Sequence, residues 1–424
     1  MSSLYFRELL RLPIDTTSTT SMAFHPMEPI IATGSFDGTV TLWRMSSDKT
    51  NLFPVSSLTW HGKMVWTIAF DPTGNFLVSG SDDNTAVIWQ VSLDGSNLSF
   101  VKTLTGHTNW IRSVAFDTTG SFVATSSFDR TVKLWRTVIT TGTDGSLVST
   151  LKGHNDWVRT VAFDPTGRFF ATSSDDGNAR VWRMLPDGTI DESPIATLDE
   201  HRSYVISVAF DPTGCFLVTG GSDKTARVWR VAPNDDTNWT CVATLTGHIM
   251  PVCSVVFHPN GLFLATGSLD RTVQIWVLSH DKSLAKCIDT LNYSDGVIQV
   301  QFHPSGKFFA IVLDDGSLIL YDCSGLTNTS LRLNRLGTQA MSRLVATQLS
   351  ADPTSTDSDL HIRWEQKITR IVDSKNPSLH VPLVTSKEAQ VKAKVNLEKQ
   401  NQSGRGGRIS RKKHKINKHY SYRK

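Results

Sequence analysis

GHTNWIRSVAFDTTGSFVATSSFDRTVKLW, residues 106–135, contains in one stretch everything that recurs along this chain. It opens on Gly106-His107, reaches a phenylalanine at Phe116 before a Thr-Thr-Gly turn, and continues through Thr125 to a turn aspartate at Asp129. It closes on Thr-Val-Lys-Leu-Trp, ending at Trp135. The last run alternates polar and apolar, the period-2 pattern of a half-buried strand. The aspartate suits the turn before it because a carboxylate accepts backbone N–H groups there.

Outward from this stretch the same columns reappear. Tryptophans stand at Trp43, Trp89, Trp135, Trp182, Trp229 and Trp276, spaced 46 or 47 residues apart, with Tyr321 in the seventh place. Six residues before each lies Asp37, Asp83, Asp129, Asp176, Asp223, Asp270 or Asp315. Four before those come Thr33, Ser79, Thr125, Thr172, Thr219 and Thr266, with Ile311 as the exception. The phenylalanine column reads Phe24, Phe70, Phe116, Phe163, Phe210, Phe257 and Phe302. Nine residues before five of these stand His61, His107, His154, His201 and His248, whereas the first and seventh units carry Asp15 and Tyr293. A period in this range, with strand and turn signals inside every unit, is the signature of a radial or solenoid array.

With Gly-His near the start and Trp near the end of each unit, residues 4–323 resemble the WD-repeat family. The resemblance implies an all-β, seven-bladed propeller of four-stranded blades, an arrangement that leaves only short, sheltered sheet edges. Residues 4–12 carry the outer-strand spacing (Leu9 and Leu12 match Val55 and Leu58) but have no blade before them. They are expected to supply the outer strand of blade seven and latch the ring. The expected organisation is a propeller over 1–323, an irregular linker over 324–390 and a disordered basic tail over 391–424.

The His, hydroxyl, Asp and Trp of blades two to six invite comparison with a catalytic triad, in which Asp orients His and His activates a hydroxyl. Five copies at one structural position point instead to an internal hydrogen-bond network that satisfies buried polar groups. The expected bracing sets are His61/Ser79/Asp83/Trp89, His107/Thr125/Asp129/Trp135, His154/Thr172/Asp176/Trp182, His201/Thr219/Asp223/Trp229 and His248/Thr266/Asp270/Trp276. Blade seven, without them, should have the poorest network. No Walker-type loop and no metal-ligand spacing occurs, so no catalytic residue, cofactor, metal or small-molecule substrate is expected.

The resemblance also implies that the residues three and five after the His, and the one before the turn Asp, point to the narrow top face. These columns place Phe36, Met64, Trp66, Trp110, Arg112, Phe128, Trp157, Arg159 and Tyr204 around one rim on the first blades. Trp, Tyr and Arg dominate interface hot spots, so this rim is the expected docking site for partner proteins. Asp82, Asp175 and Asp314 nearby suggest a partner with an apolar anchor and a basic side chain.

A formal charge of +4 conceals an asymmetry: residues 391–424 hold twelve Lys or Arg against one Glu, leaving −7 for the rest. Arg405, Arg408, Arg411, Lys412, Lys413, Lys415 and Lys418 lie in a stretch too charged and too poor in apolar residues to fold alone. Such a polycation can release counterions from RNA, with Tyr420 and Tyr422 free to stack on bases, serve as a nuclear-import signal, or do no more than keep the chain soluble. Five cysteines without CxxC spacing, and no apolar run of the roughly 18 residues a membrane span needs, point to an intracellular protein of cytoplasm or nucleus with no membrane partner. The functional expectation is a non-enzymatic scaffold, its top face docking proteins and its tail contacting RNA, as in ribonucleoprotein assembly. The alternative is a substrate receptor for a ubiquitin-ligase-type complex.

Overall fold

Alternating strands joined by tight turns have only one way to bury both faces of every sheet here: to stack sheet against sheet around an axis. A computed structural model describes residues 3, 5–12, 18–137, 145–185, 189–191, 193–232 and 235–326, and within them the chain forms seven four-stranded antiparallel sheets. Six are built from consecutive strands; blade three, for example, runs Ile111–Phe116, Phe122–Ser127, Val132–Arg136 and Ser146–Leu151. The innermost strand of each blade lies against that of the next, and Val297–Phe302 of blade seven returns to Thr19–Phe24 of blade one. The ring is closed.

The seventh sheet takes its outer strand from the N-terminus. Arg7–Leu12 pairs with Leu318–Asp322, Arg7 opposite Asp322 and Leu12 opposite Leu318, with a bulge between Glu8 and Leu10. Tyr5 and Phe6 are buried ahead of it, and Phe6 meets Phe309 and Tyr321 edge-on. Cys323 and Leu326 are buried in the same cluster.

The second strand of each blade is sandwiched by its own sheet and by neighbouring blades, and Ile30–Ser35, Phe122–Ser127 and Phe169–Ser174 are buried at every residue. Outer strands are half-exposed, as in Leu52–Thr59. Between blades runs an apolar layer; Phe169, Val181, Leu198, Val205, Val208 and Leu217 form one such layer between blades four and five.

Polar bonds also cross from blade to blade. Three residues before the phenylalanine column, Ser21, Thr67, Ser113, Ser207 and Ser254 each accept the N–H of an innermost-strand residue in the next blade: Ile68, Val114, Val161, Val255 and Val300, at 3.0–3.3 Å. Thr160, in blade four, turns instead to Ser173. At the closure the column changes to Gln299, whose Oε1 accepts the Met22 N–H and whose Nε2 donates to the Met22 carbonyl, both at 2.9 Å. The longer side chain thus pairs with both backbone groups of one residue where first and last blades meet.

Candidate docking face

The bracing quartets fix which loops share a face. In blade three His107 Nδ1–H donates to Asp129 Oδ2 at 2.7 Å and His107 Nε2 lies 2.8 Å from Thr125 Oγ1, which accepts the Trp135 Nε1–H at 2.9 Å. The ionised Asp129 carboxylate can only accept, so His107 carries its proton on Nδ1, and Nε2 of the neutral ring accepts the Thr125 hydroxyl proton. The same chain of donors runs through the quartets of His61, His154, His201 and His248, every His–Asp and His–hydroxyl contact lying between 2.7 and 3.1 Å. Burial works to raise Asp83, but the hydrogen bonds from His61 and Thr85 outweigh it and bring the carboxyl down to about 2. Asp129, Asp176, Asp223 and Asp270 are held below the usual carboxylate range in the same way.

This proton arrangement is that of a hydrolase triad, yet Ser79, Thr125, Thr172, Thr219 and Thr266 have no exposed surface at all. A nucleophile must reach its substrate, so these five hydroxyls are braces. Blade one retains the Trp43 Nε1–H bond to Thr33 at 2.8 Å; Asp15 lies outside the described residues. Blade seven replaces the network with apolar packing around Ile311, Phe309 and Phe302. Its buried Tyr293 hydroxyl has no well-formed hydrogen bond, and burial pushes that phenol well above the ordinary range.

Because each His–Asp bond ties the loop entering a blade to the turn between its second and third strands, both rim columns lie on one face. A backbone bond couples them: the Phe128, Asp175, Ser222 and Asp82 N–H groups donate to the carbonyls of Trp110, Trp157, Tyr204 and Met64, and Phe36 N–H to that of Ser18. On this frame Phe36, Trp110, Trp157 and Tyr204 are exposed by 62%, 39%, 40% and 49%, four large rings on one surface. Met64, Trp66 and Arg159 are half-buried.

Two expectations are corrected here. Phe128, expected on the rim, is buried: it is sandwiched between Trp157, stacked at 4.1 Å, and Trp110 at 5.7 Å, so it supports the exposed rings. The carboxylates expected to receive a basic partner are already engaged. Both Asp175 oxygens accept from Arg159, at 2.6 and 2.7 Å, and Asp82 accepts the Trp66 Nε1–H. Asp314, on blade seven, stays exposed on the opposite side of the ring. Arg112 lies over Trp66, its guanidinium carbon 3.5 Å from the ring centroid and 5.4 Å from that of Phe128. Trp66, Arg112, Phe128 and Trp157 therefore form one layered stack across blades two to four.

A family model described as WD domain, G-beta repeat matches residues 9–44, 52–90, 98–136, 145–183, 192–230, 239–277 and 285–322. The chain belongs to the WD40 family. Each WD40 unit begins on the outer strand of one blade and ends on the third strand of the next, so sequence repeat and blade are offset by one strand. The first WD40 unit consequently opens on blade seven, which is why the N-terminal strand closes the ring. No curated protein matches the chain significantly. Among the described residues no group of His, Cys, Asp and Glu could hold a metal ion, and no helix is long and apolar enough to cross a membrane. The basic tail residues from Arg405 to Lys418 lie outside the described residues.

Proposed function

We propose that this WD40 protein is a non-enzymatic scaffold that docks partner proteins on the rim of blades one to five. The observation that carries the reading is the set of four exposed rings, Phe36, Trp110, Trp157 and Tyr204, on a face that presents them from rigid turns. Isolated exposed apolar residues are ordinary, but large rings gathered on one surface and interleaved with guanidinium groups have the composition of a binding hot spot. The test uses the exposed rings, which leaves Phe128 and the Arg159–Asp175 pair in place. The triple variant Trp110→Ala, Trp157→Ala, Tyr204→Ala should remain folded, with a melting point lowered by the uncovering of Phe128, and lose its partners. Retention of every partner would refute the assignment.

In this reading residues 1–323 are the docking propeller, 324–390 a connection and 391–424 a polycation that contacts RNA, which suits a role in ribonucleoprotein assembly. Support comes from the charge of the tail alone: neutralising several phosphates releases counterions and makes affinity fall steeply with salt. RNA binding that weakens with salt and vanishes on deletion of residues 391–424 is the expected result; unchanged binding after deletion would remove the tail from the reading. The same basic run serves equally as a nuclear-import signal, and an intracellular location accompanies both roles. Co-purification of ligase adaptors independently of the tail would favour a substrate receptor instead.

A further inference from the structure

Among the cations at the mouth of the ring, Arg112 lacks a hydrogen-bonded counterion among the described residues, and the exposed carboxylate of Asp314 stands on blade seven. Arg159 is forked onto Asp175 and Asp82 is occupied by Trp66, yet the Arg112 guanidinium donates no hydrogen bond to any described residue. Its Nε is sealed from solvent without a partner. Burial, and next the positive Arg159, push Arg112 down to about 9, so it remains charged at neutral pH in surroundings that under-compensate it. A buried cation of this kind gains from any anion that arrives with a matching pair of acceptors.

Cations stand on part of the surrounding rim, whereas the turns of blades one and seven carry the exposed carboxylates of Asp37 and Asp314. Arg130, Lys224 and Arg271 stand at the tips of the turns of blades three, five and six, exposed and without an ion pair among the described residues, as are Lys63 and Arg202 beside them. The three turn residues hold φ of 70°, 68° and 70°, where blades one, four and seven use Gly38, Gly177 and Gly316. A left-handed backbone disfavours a long side chain, so these cations are carried at a conformational cost that glycine would avoid.

We propose that the top face selects an acidic peptide segment, one Asp or Glu carboxylate of which enters the mouth of the ring to pair with Arg112 while a neighbouring apolar side chain rests on Trp110 and Trp157. The peripheral cations steer such a segment and the stacked rings anchor it. A carboxylate fits better than a phosphate: one guanidinium is free, and Asp82 and Asp175 lie close enough to act on its charge and would repel a dianion. The inference rests on the docking reading above and adds the chemistry of the partner.

The test is selection of a library of randomised displayed peptides on the immobilised full chain, in parallel with Arg112→Gln, Arg112→Lys and the Trp110→Ala/Trp157→Ala double variant. Wild type should enrich peptides with Asp or Glu beside an aromatic or large aliphatic residue. Arg112→Gln should lose the acidic preference and keep the apolar one, and Arg112→Lys, which restores the charge without the fork, should recover part of it. A selected peptide remade with Gln for its Glu should bind about tenfold more weakly to wild type and equally well to Arg112→Gln. Enrichment of basic or neutral peptides, an acidic preference that survives in Arg112→Gln, or tighter binding of a phosphoserine version than of the Glu peptide would each overturn the carboxylate assignment and leave the docking face standing. Enrichment no greater on wild type than on the tryptophan double variant would overturn both.

Discussion

Substituting Thr125 by Val asks how much one bracing quartet contributes, because the two side chains have nearly the same shape and only the hydroxyl is lost. That hydroxyl has no exposure, accepts from Trp135 and lies 2.8 Å from His107 Nε2, so removal strands two polar groups where water does not reach. An unpaired buried donor or acceptor costs about 1–3 kcal/mol, and the added methyl returns about 0.8 kcal/mol, so two stranded groups give a net loss of about 1–5 kcal/mol. Thr33→Val in blade one is the internal control. There the hydroxyl serves Trp43 and no histidine among the described residues, so one group is stranded and the loss should be about half as large. Urea unfolding followed by tryptophan fluorescence measures both; with a slope of about 3 kcal/mol/M for a domain of this size, the Thr125→Val midpoint should fall by about 0.3–1.7 M. A Thr125→Val protein as stable as wild type, or a Thr33→Val protein that loses more, would refute the bracing argument.

Other perturbations follow from the same structure. His25 and His258 each accept backbone N–H groups on Nδ1 and lie with Nε2 3.1 Å from a carbonyl of the next blade, Gly74 and Gly306, so only the neutral Nε2–H form fits. Burial lowers both below their ordinary 6.5, so the unfolded chain binds protons first: stability is full above pH 6.5 and declines as the pH falls through the lowered folded values, and His25→Asn/His258→Asn should flatten that decline in a pH series of urea melts. An unaltered slope would show that these rings are not the source. Deleting residues 1–12 removes the outer strand of blade seven along with buried Tyr5 and Phe6, and should cost about 4 kcal/mol or more in the same melts, whereas an unchanged midpoint would dismiss the latch. Gln299→Leu keeps the bulk but leaves the Met22 N–H and carbonyl without their partners, so amide exchange at Met22 should quicken while exchange at Val114, bonded to Thr67, stays slow; equal protection in both proteins would count against a closure role.

Much of the fold was legible because the decisive signals are local and repeated. Aspartate turns, period-2 strands and a His–hydroxyl–Asp–Trp column each lie within one unit, and seven copies average out exceptions such as Tyr321. The outer-strand spacing of Leu9 and Leu12 likewise pointed to a strand with no blade of its own. The docking face was harder to read because its chemistry depends on neighbours one blade away. Nothing near Phe128 in sequence reveals that Trp157 covers it, and nothing near Arg112 reveals the Trp66 ring beneath its guanidinium. Asp82 and Asp175 look like free carboxylates until Trp66 and Arg159 are placed beside them. One feature could have been found from sequence: the column Ser21, Thr67, Ser113, Thr160, Ser207, Ser254 and Gln299 stands three residues before every phenylalanine, and its single change to glutamine marks the closure.

Placing a photo-cross-linking amino acid on each face separates docking on the rim from every alternative surface. With p-benzoylphenylalanine at position 204, in place of exposed Tyr204, irradiation of the full chain with its native partners should give discrete protein adducts. At position 27, in place of Met27, 78% exposed in a turn on the opposite face, it should give none of them. Docking through the rim predicts adducts from position 204 that disappear when Trp110 and Trp157 are alanine. The same adducts from position 27 and none from position 204 would contradict it.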